Sequence, residues 1–315
     1  MIRTVCRDID PLQLGLTYSH EHLISSPPEW KAREDPDLVI VDLDKAIAEV
    51  GQFAQLGGES LFEASAYDYG RDVRALVKIS EACHVNIIAC AGFNKGMWFE
   101  PMIEGWSDSK LIDHIVSEVL DGIDETTIKG GCIKFGTGYN RISPAEERVI
   151  RAAAKAHRIT GAPLHGHTEV GTMAREQIEI LADEGVDMAH VAFCHVARNP
   201  DNWYLRKIAQ SGAFLCFDGV SKVKYHTEET RIDAILRLCE QGYAQQILLG
   251  GDMARQTDLH AYTGGPGLQF ILGKWVPRFR EELSERGSST AQIRDTVDSF
   301  LVQNPRRYFD MCESY

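Results

Sequence analysis

Residues 130–140 read GGCIKFGTGYN, and the middle of that run has the composition of a buried β-strand. Cys132, Ile133 and Phe135 carry the apolar character, yet Lys134 stands among them. An ammonium group taken out of water without a partner is strongly disfavoured. The strand therefore makes sense only if Lys134 reaches solvent or is put to chemical use.

Seven further runs of the same kind lie along the chain: LGLTYSH (14–20), SLFEAS (60–65), VNIIACAGF (85–93), APLHGHT (162–168), HVAFCHV (190–196), AFLCFDG (213–219) and QILLGGD (246–252). Amphipathic stretches such as LDKAIAEVGQFAQLG and SPAEERVIRAAAKAHRITG separate them. The second stretch carries its own boundaries. Ser143 is a good N-cap, Pro144 suits the first helical position, Glu146 completes a capping box, and Gly161 stops the helix. Strands alternating with helices imply right-handed crossovers and parallel pairing. Eight strands so connected predict a (β/α)8 barrel. An open doubly wound sheet is the competing fold, but neither GxGxxG nor a Walker A motif supports it.

A length of 315 residues suits one large barrel, and no linker or low-complexity tract divides it, so a single domain over 1–315 is expected. A net charge of −13 argues against a nucleic-acid partner and against binding to anionic membrane. It leaves room for a small anionic substrate, which needs only a few local cations. The N-terminus MIRTVCRDID lacks the apolar core of a secretion signal, and no run approaches a membrane span. Eight scattered cysteines without a CxxC pair read as free thiols of a cytoplasmic protein.

In a barrel the C-terminal ends of the strands converge on the active site. Strand one ends SHEHL, with His20 and His22 two apart and hence on one face, while Glu21 points the other way. Strand four carries Lys134, strand five ends with His165 and His167, strand six with His195, and strand eight with Asp252. An HxH pair by itself is as compatible with a polar core pair as with a metal. Joined to His167, His195 and Asp252 from other strands, it points to a metal centre of zinc, manganese or cobalt type.

His165 lies deeper than His167 and reads as a hydrogen-bonded core residue. His190 falls on the opposite face from His195. His84, His114, His157, His226 and His260 read as surface or loop residues, the last two on loops at the barrel mouth. Five ligands could serve two ions only with a bridge. A neutral lysine amine can add CO2 to become a carbamate, which offers two oxygens as a carboxylate does. Lys134 is then either that bridge or a lysine snorkelling to the barrel mouth.

The motifs TYSHEHL, DYGRDV, GFNKG, KFGTGYN, SPAEE, GHTEVGT, CHVAR and LLGGDMAR, in this order, resemble the phosphotriesterase family of the amidohydrolase superfamily. The resemblance implies a distorted barrel with a binuclear centre. His20, His22 and Asp252 would hold the more buried ion, and His167 and His195 the more exposed one. Lys134, N-carboxylated by CO2, would bridge them together with hydroxide. Asp252 would take the proton as hydroxide attacks and deliver it to the leaving alkoxide.

The loop after strand seven, FDGVSKVKYHTEETR, puts Lys222, Lys224 and Tyr225 near the mouth. Arg255 follows Asp252 by three positions, and Tyr139 follows strand four. Cations and phenols suit an anionic group, and arginine can bind phosphate through two parallel hydrogen bonds. The opposing reading is that Lys222 and Lys224 are solvated loop charges, the more so for Lys222. SKVKYH, GDMAR and YTGGPGLQF are similar to the branch of the family that opens furanose 1,4-lactones bearing a 5-phosphate. That resemblance gives Lys224, Tyr225 and Arg255 to the phosphate, with the two metals, zinc first among them, facing the lactone carbonyl. Two alternatives stand beside it. One is a lactonase or carboxylesterase for uncharged substrates with weak phosphotriesterase activity; the other is a non-catalytic metabolite-binding barrel. Barrels of this kind often pair, so a homodimer is an expectation.

Overall fold

The structure, a computed structural model, describes residues 1–312. Its strands are β1 (Ile2–Arg3), β2 (Asp8–Ile9), β3 (Thr17–Glu21), β4 (Ser60–Glu63), β5 (Asn86–Gly92), β6 (Cys132–Thr137), β7 (Leu164–Thr168), β8 (Val191–Cys194), β9 (Phe214–Phe217) and β10 (Ile247–Leu249). β3 to β10 form one parallel sheet in sequence order. All eight expected strands are present. The short antiparallel pair β1–β2 was not foreseen, because two residues per strand leave no periodicity to read.

The sheet curls so that β10 meets β3. The Asp252 N–H donates to the His20 carbonyl at 3.0 Å across that seam. Gly250 is required there, since a Cβ would come within 2.7 Å of the His20 carbonyl oxygen. Glu21, which points away from the two histidines, accepts from the N–H groups of Gly251 (2.5 Å) and Met253 (3.2 Å). The "HEH" of strand one thus has two uses. The histidines face into the barrel and the glutamate ties the seam.

Period two divides each strand between two apolar environments. Ile133 and Phe135 pack outward with Val149, Ile150 and Ala153 of the helix Pro144–Thr160. Full burial of such side chains contributes roughly 1.5–3 kcal/mol each. Cys132 joins an interior cluster with Phe62, Cys90, Cys194 and Cys216. Lys134 lies two residues from Cys132 and shares its inward face. The helix Pro144–Thr160 begins and ends as its sequence dictates, with both capping-box hydrogen bonds around Ser143 and Gly161 in the left-handed region.

The N-terminal end of the barrel is closed by β1–β2 and by the helix Asn304–Phe309, whose Tyr308 and Phe309 sit in the interior cluster with Ile2 and Ile9. The open end is therefore the C-terminal one, where the candidate residues lie. Among the described residues no helix is long and apolar enough to cross a membrane, and all eight cysteines are free thiols.

Candidate metal centre

β3 delivers His20 and His22 to one place, with ring centroids 5.4 Å apart. Asp252, three residues past β10 and held at φ 49°, turns its carboxylate toward them. Its Oδ1 lies 3.6 Å from His20 Nε2 and 3.4 Å from His22 Nε2. These three side chains are close enough together to share one cation. His22 Nδ1 is occupied by the Ser65 hydroxyl at 2.7 Å. His20 Nε2 is buried with no hydrogen-bond partner among the described residues, a costly condition unless the nitrogen has another ligand.

A second pair of imidazoles stands beside the first set. His167 Nδ1 and His195 Nε2 are 3.0 Å apart. His195 Nδ1 faces Asp218 Oδ1 at 2.8 Å, and His167 Nε2 faces Glu169 Oε2 at 3.1 Å. Carboxylate oxygens accept, so in the neutral rings those nitrogens carry the protons. The two nitrogens that face each other then both present lone pairs. Two lone pairs at 3.0 Å repel, and a cation placed to meet both removes the conflict. Asp218 and Glu169 are also the kind of outer partner that orients a ligating imidazole.

The protonation states fit ligation. Burial lowers His22 to about 4 and His167 to about 3, and holds His20 and His195 well below the ordinary histidine range. All four rings are neutral near pH 7, as ligands must be. Burial works to raise Asp252, but Lys222, His195, His22 and Arg198 outweigh it, so the carboxylate stays ionised. Burial and the nearby Asp252 push Asp218 up to about 7; a cation held by His195 would pull it back down.

A consequence for stability follows. Because folding depresses these histidines, the unfolded chain binds more protons below pH 6.5. The stability they lend to the metal-free fold is complete above pH 6.5 and is lost as pH falls through about 4 and then about 3. Burial also raises Asp218 and Glu63 to about 7 and Asp68 to about 6, which works in the opposite sense, so the histidine contribution is read by difference. The urea midpoint of chelator-treated wild-type protein should fall more between pH 7 and pH 4.5 than that of His22→Gln; an identical pH dependence would contradict a buried neutral His22.

Lys134 is 1% exposed, and its Nζ donates to the Ala64 carbonyl at 2.8 Å. It does not snorkel to open solvent but forms part of the wall of a cleft of about 270 Å3, with His22, His167, His195 and Asp252. Gly136 is what lets this floor form: a Cβ there would strike the Asn94 carbonyl at 2.1 Å and the His167 Cβ at 2.7 Å. A larger cavity of about 590 Å3 lies elsewhere, around Arg71, Arg74 and Lys78, and contains none of these groups.

The expected mouth residues divide. Lys224, Tyr225 and Arg255 line the cleft, whereas Tyr139 is 60% exposed and is not part of its wall. Lys222, read from sequence as the more solvated of the two loop lysines, is buried; its Nζ lies 3.1 Å from both Asp252 Oδ2 and Asp258 Oδ2. Ser221 at φ 84° redirects the chain there, which a strand or helix period cannot anticipate. Lys224 is the exposed one. Arg255 is not free: Asp35 accepts from it twice, at 2.9 and 2.8 Å, and Asp37 once at 3.3 Å. His157, expected at the surface, is fully buried, with Nδ1 2.8 Å from the Ala162 carbonyl.

Sequence reasoning missed Arg198, which donates to Asp252 Oδ2 at 2.6 Å and lies 4.4 Å over the Tyr225 ring. It also missed Asp218 and Glu169. All three sit one to four residues beyond a strand end, so position was the available signal.

The profile of the phosphotriesterase family matches residues 1–309. The chain belongs to the phosphotriesterase family. A solved structure of a lactonase from Listeria monocytogenes superimposes with a TM-score of 0.95 at 44% identity, covering 99% of each chain. A phospho-furanose lactonase from Mycoplasmopsis agalactiae is 31% identical over 328 residues, 97% of this chain and 90% of that one. The phosphotriesterase homology protein of Escherichia coli K12 is 30% identical over 298 residues, 94% of this chain and 98% of that one. This member of the phosphotriesterase family is accordingly a hydrolase, of a family whose enzymes are built on a binuclear metal centre.

Proposed function

We propose that the chain opens a sugar 1,4-lactone, specifically a furanose lactone carrying a 5-phosphate. The observation that carries this reading is the charge of the cleft. Besides Lys134, six lysine and arginine side chains line it against two carboxylates, Glu169 and Asp252, in a chain whose net charge is −13. Such local focusing favours an anionic ligand. The phospho-furanose lactonase relative supports the same substrate class.

His20, His22 and Asp252 would hold one divalent ion and His167 with His195 a second, zinc being the first choice and manganese or cobalt also suited to this donor set. Lys134, as its carbamate, would bridge them. Ions so held would acidify a shared water and polarise the lactone carbonyl. Asp252 accepts the proton of the attacking water and returns it to the ring oxygen as the acyl C–O bond breaks, so lactone and water become one hydroxy acid. Arg198 and Lys222 keep that carboxylate ionised and fixed in direction. We place this enzyme in the cytoplasm, as one barrel domain over residues 1–315, acting on a small molecule.

Lys224, Tyr225 and Arg255 would receive the phosphate. Lys224 is the free cation of this group, with Nζ 5.1 Å from the Tyr225 ring and no ion pair among the described residues. Arg255 would contribute from a position already set by Asp35 and Asp37. The test is a matched pair of sugar lactones, with and without the 5-phosphate. Losing a hydrogen bond to a charged group costs about 1.5–3 kcal/mol, so Lys224→Met and Arg255→Met should each lower kcat/KM for the phosphorylated lactone by roughly 10- to 100-fold. The effect should lie mostly in KM and should spare the unphosphorylated partner. Equal losses on both substrates would remove the phosphate from the proposal and leave a lactonase for uncharged substrates.

A further inference from the structure

We infer that Tyr308 and His165 act as a hydrogen-bond relay that decides which nitrogen of His20 carries its proton, and so leaves His20 Nε2 bare for a cation. The relay runs up the barrel axis from the plugged end. The Tyr308 hydroxyl is 2.9 Å from the Leu164 carbonyl, 3.0 Å from His165 Nδ1 and 3.5 Å from Cys132 Sγ. His165 Nε2 is 2.9 Å from His20 Nδ1. His20 Nε2, at the upper end, is the buried nitrogen that lacks a hydrogen-bond partner among the described residues.

The proton positions follow from counting donors. A carbonyl oxygen only accepts, so the single phenolic proton of Tyr308 goes to Leu164. The Tyr308 oxygen must then accept from His165, which places the His165 proton on Nδ1. The His165 ring is fully buried and its two nitrogens face only the Tyr308 hydroxyl and His20, so no carboxylate among the described residues is within hydrogen-bond reach to balance a second proton. His165 Nε2 is therefore an acceptor and takes the proton of His20 Nδ1. The other group near His20 Nδ1, Asp218 Oδ2, is 3.7 Å away and too far to compete. Only Nε2 of His20 remains, with its lone pair directed toward Asp252 Oδ1 at 3.6 Å.

Each link depends on the fold. Tyr308 is fully buried on the helix Asn304–Phe309 that closes the lower end of the barrel. Lys134 pairs with His165 in the register of β6 and β7, which sets His165 beneath His167 rather than beside it. His165 and Tyr308 are thus positioning residues. They touch neither the cleft nor a reacting atom, and they act through the tautomer of His20.

The inference rests on His20 being a metal ligand, and the test separates the two ideas. Two-bond proton–nitrogen spectra of histidine-labelled wild-type protein, stripped by chelator and again after zinc is restored, should show His20 and His165 both protonated at Nδ1. Tyr308→Phe removes the acceptor and should return a mixed or reversed His20 tautomer, with zinc affinity lowered about 10- to 100-fold in a chelator competition. A His20 proton on Nε2 in the wild-type protein overturns the relay, and this reading does not depend on any variant folding. Wild-type zinc affinity in folded Tyr308→Phe, alongside loss of zinc in His20→Ala, overturns the relay but keeps the ligand. Undiminished zinc binding in His20→Ala overturns both.

Discussion

Lys134→Ala should purify with its metal content reduced to near zero and with turnover at background, and formate or acetate should restore part of both. The expectation starts from burial. Lys134 is 1% exposed, and among the described residues its one hydrogen bond is to the Ala64 carbonyl. That contact satisfies one of three ammonium donors and supplies no counter-charge, so as a permanent cation the residue would be poorly served. As a carbamate its position would become useful. The amine nitrogen would bond the carbon of CO2 with loss of one proton, and two oxygens with a net negative charge would then stand in the cleft among His22, His167, His195 and Asp252.

Alanine leaves a space that a small carboxylate can enter to supply the same two oxygens, whereas Lys134→Arg cannot form the carbamate and should not be rescued. A second readout is independent of activity. A ligand present at 100 times its Kd stabilises a fold by about 2.7 kcal/mol, so added zinc should raise the Tm of wild-type protein and leave that of Lys134→Ala unchanged. An alanine variant that retains its metal and its turnover would return Lys134 to the status of a structural lysine.

The lysine posed this question in the sequence because strand chemistry is periodic and a charge out of phase is conspicuous. The same periodicity made the barrel legible. Eight apolar runs of the right length, separated by helices with readable caps, leave little freedom in connection once crossovers must be right-handed. His20, His22, His167, His195 and Asp252 were visible because they close strands, where a barrel collects its polar residues. What lay beyond those ends was not legible. His195 and Asp252 adopt φ 65° and 49°, so strand alternation says nothing about where their side chains point. Arg198 ends a single 3-10 turn, Asp218 and Lys222 lie in irregular segments, and their contacts depend on how two different loops approach each other. Lys222 and Lys224 are two residues apart in one loop, and a single left-handed residue before them reverses which is buried. Tyr308 is further still from inference, since it reaches His165 from 143 positions away.

Asp252→Asn should cost turnover without a matching loss of metal, which separates proton transfer from ligation. The substitution keeps the shape and one carbonyl oxygen toward His20 and His22, so an ion held there would lose a charge but not a donor. What disappears is the ability to accept a proton, and general-base assistance of this kind is worth about 10²- to 10⁴-fold. kcat should fall within that range while metal content per chain stays near the wild-type value. The surroundings add a second expectation. Arg198 and Lys222 meet at Asp252 Oδ2, at 2.6 and 3.1 Å, in a site almost closed to water. Neutralising the carboxylate leaves Arg198 with the Tyr225 ring and Lys222 with Asp258, so the fold should also weaken, and Arg198 more than Lys222 loses its partner. Arg198→Met in the Asp252→Asn background should therefore recover stability without recovering kcat. If Asp252→Asn holds its metal and turns over at the wild-type rate, the proton goes elsewhere, and Asp252 is a ligand alone.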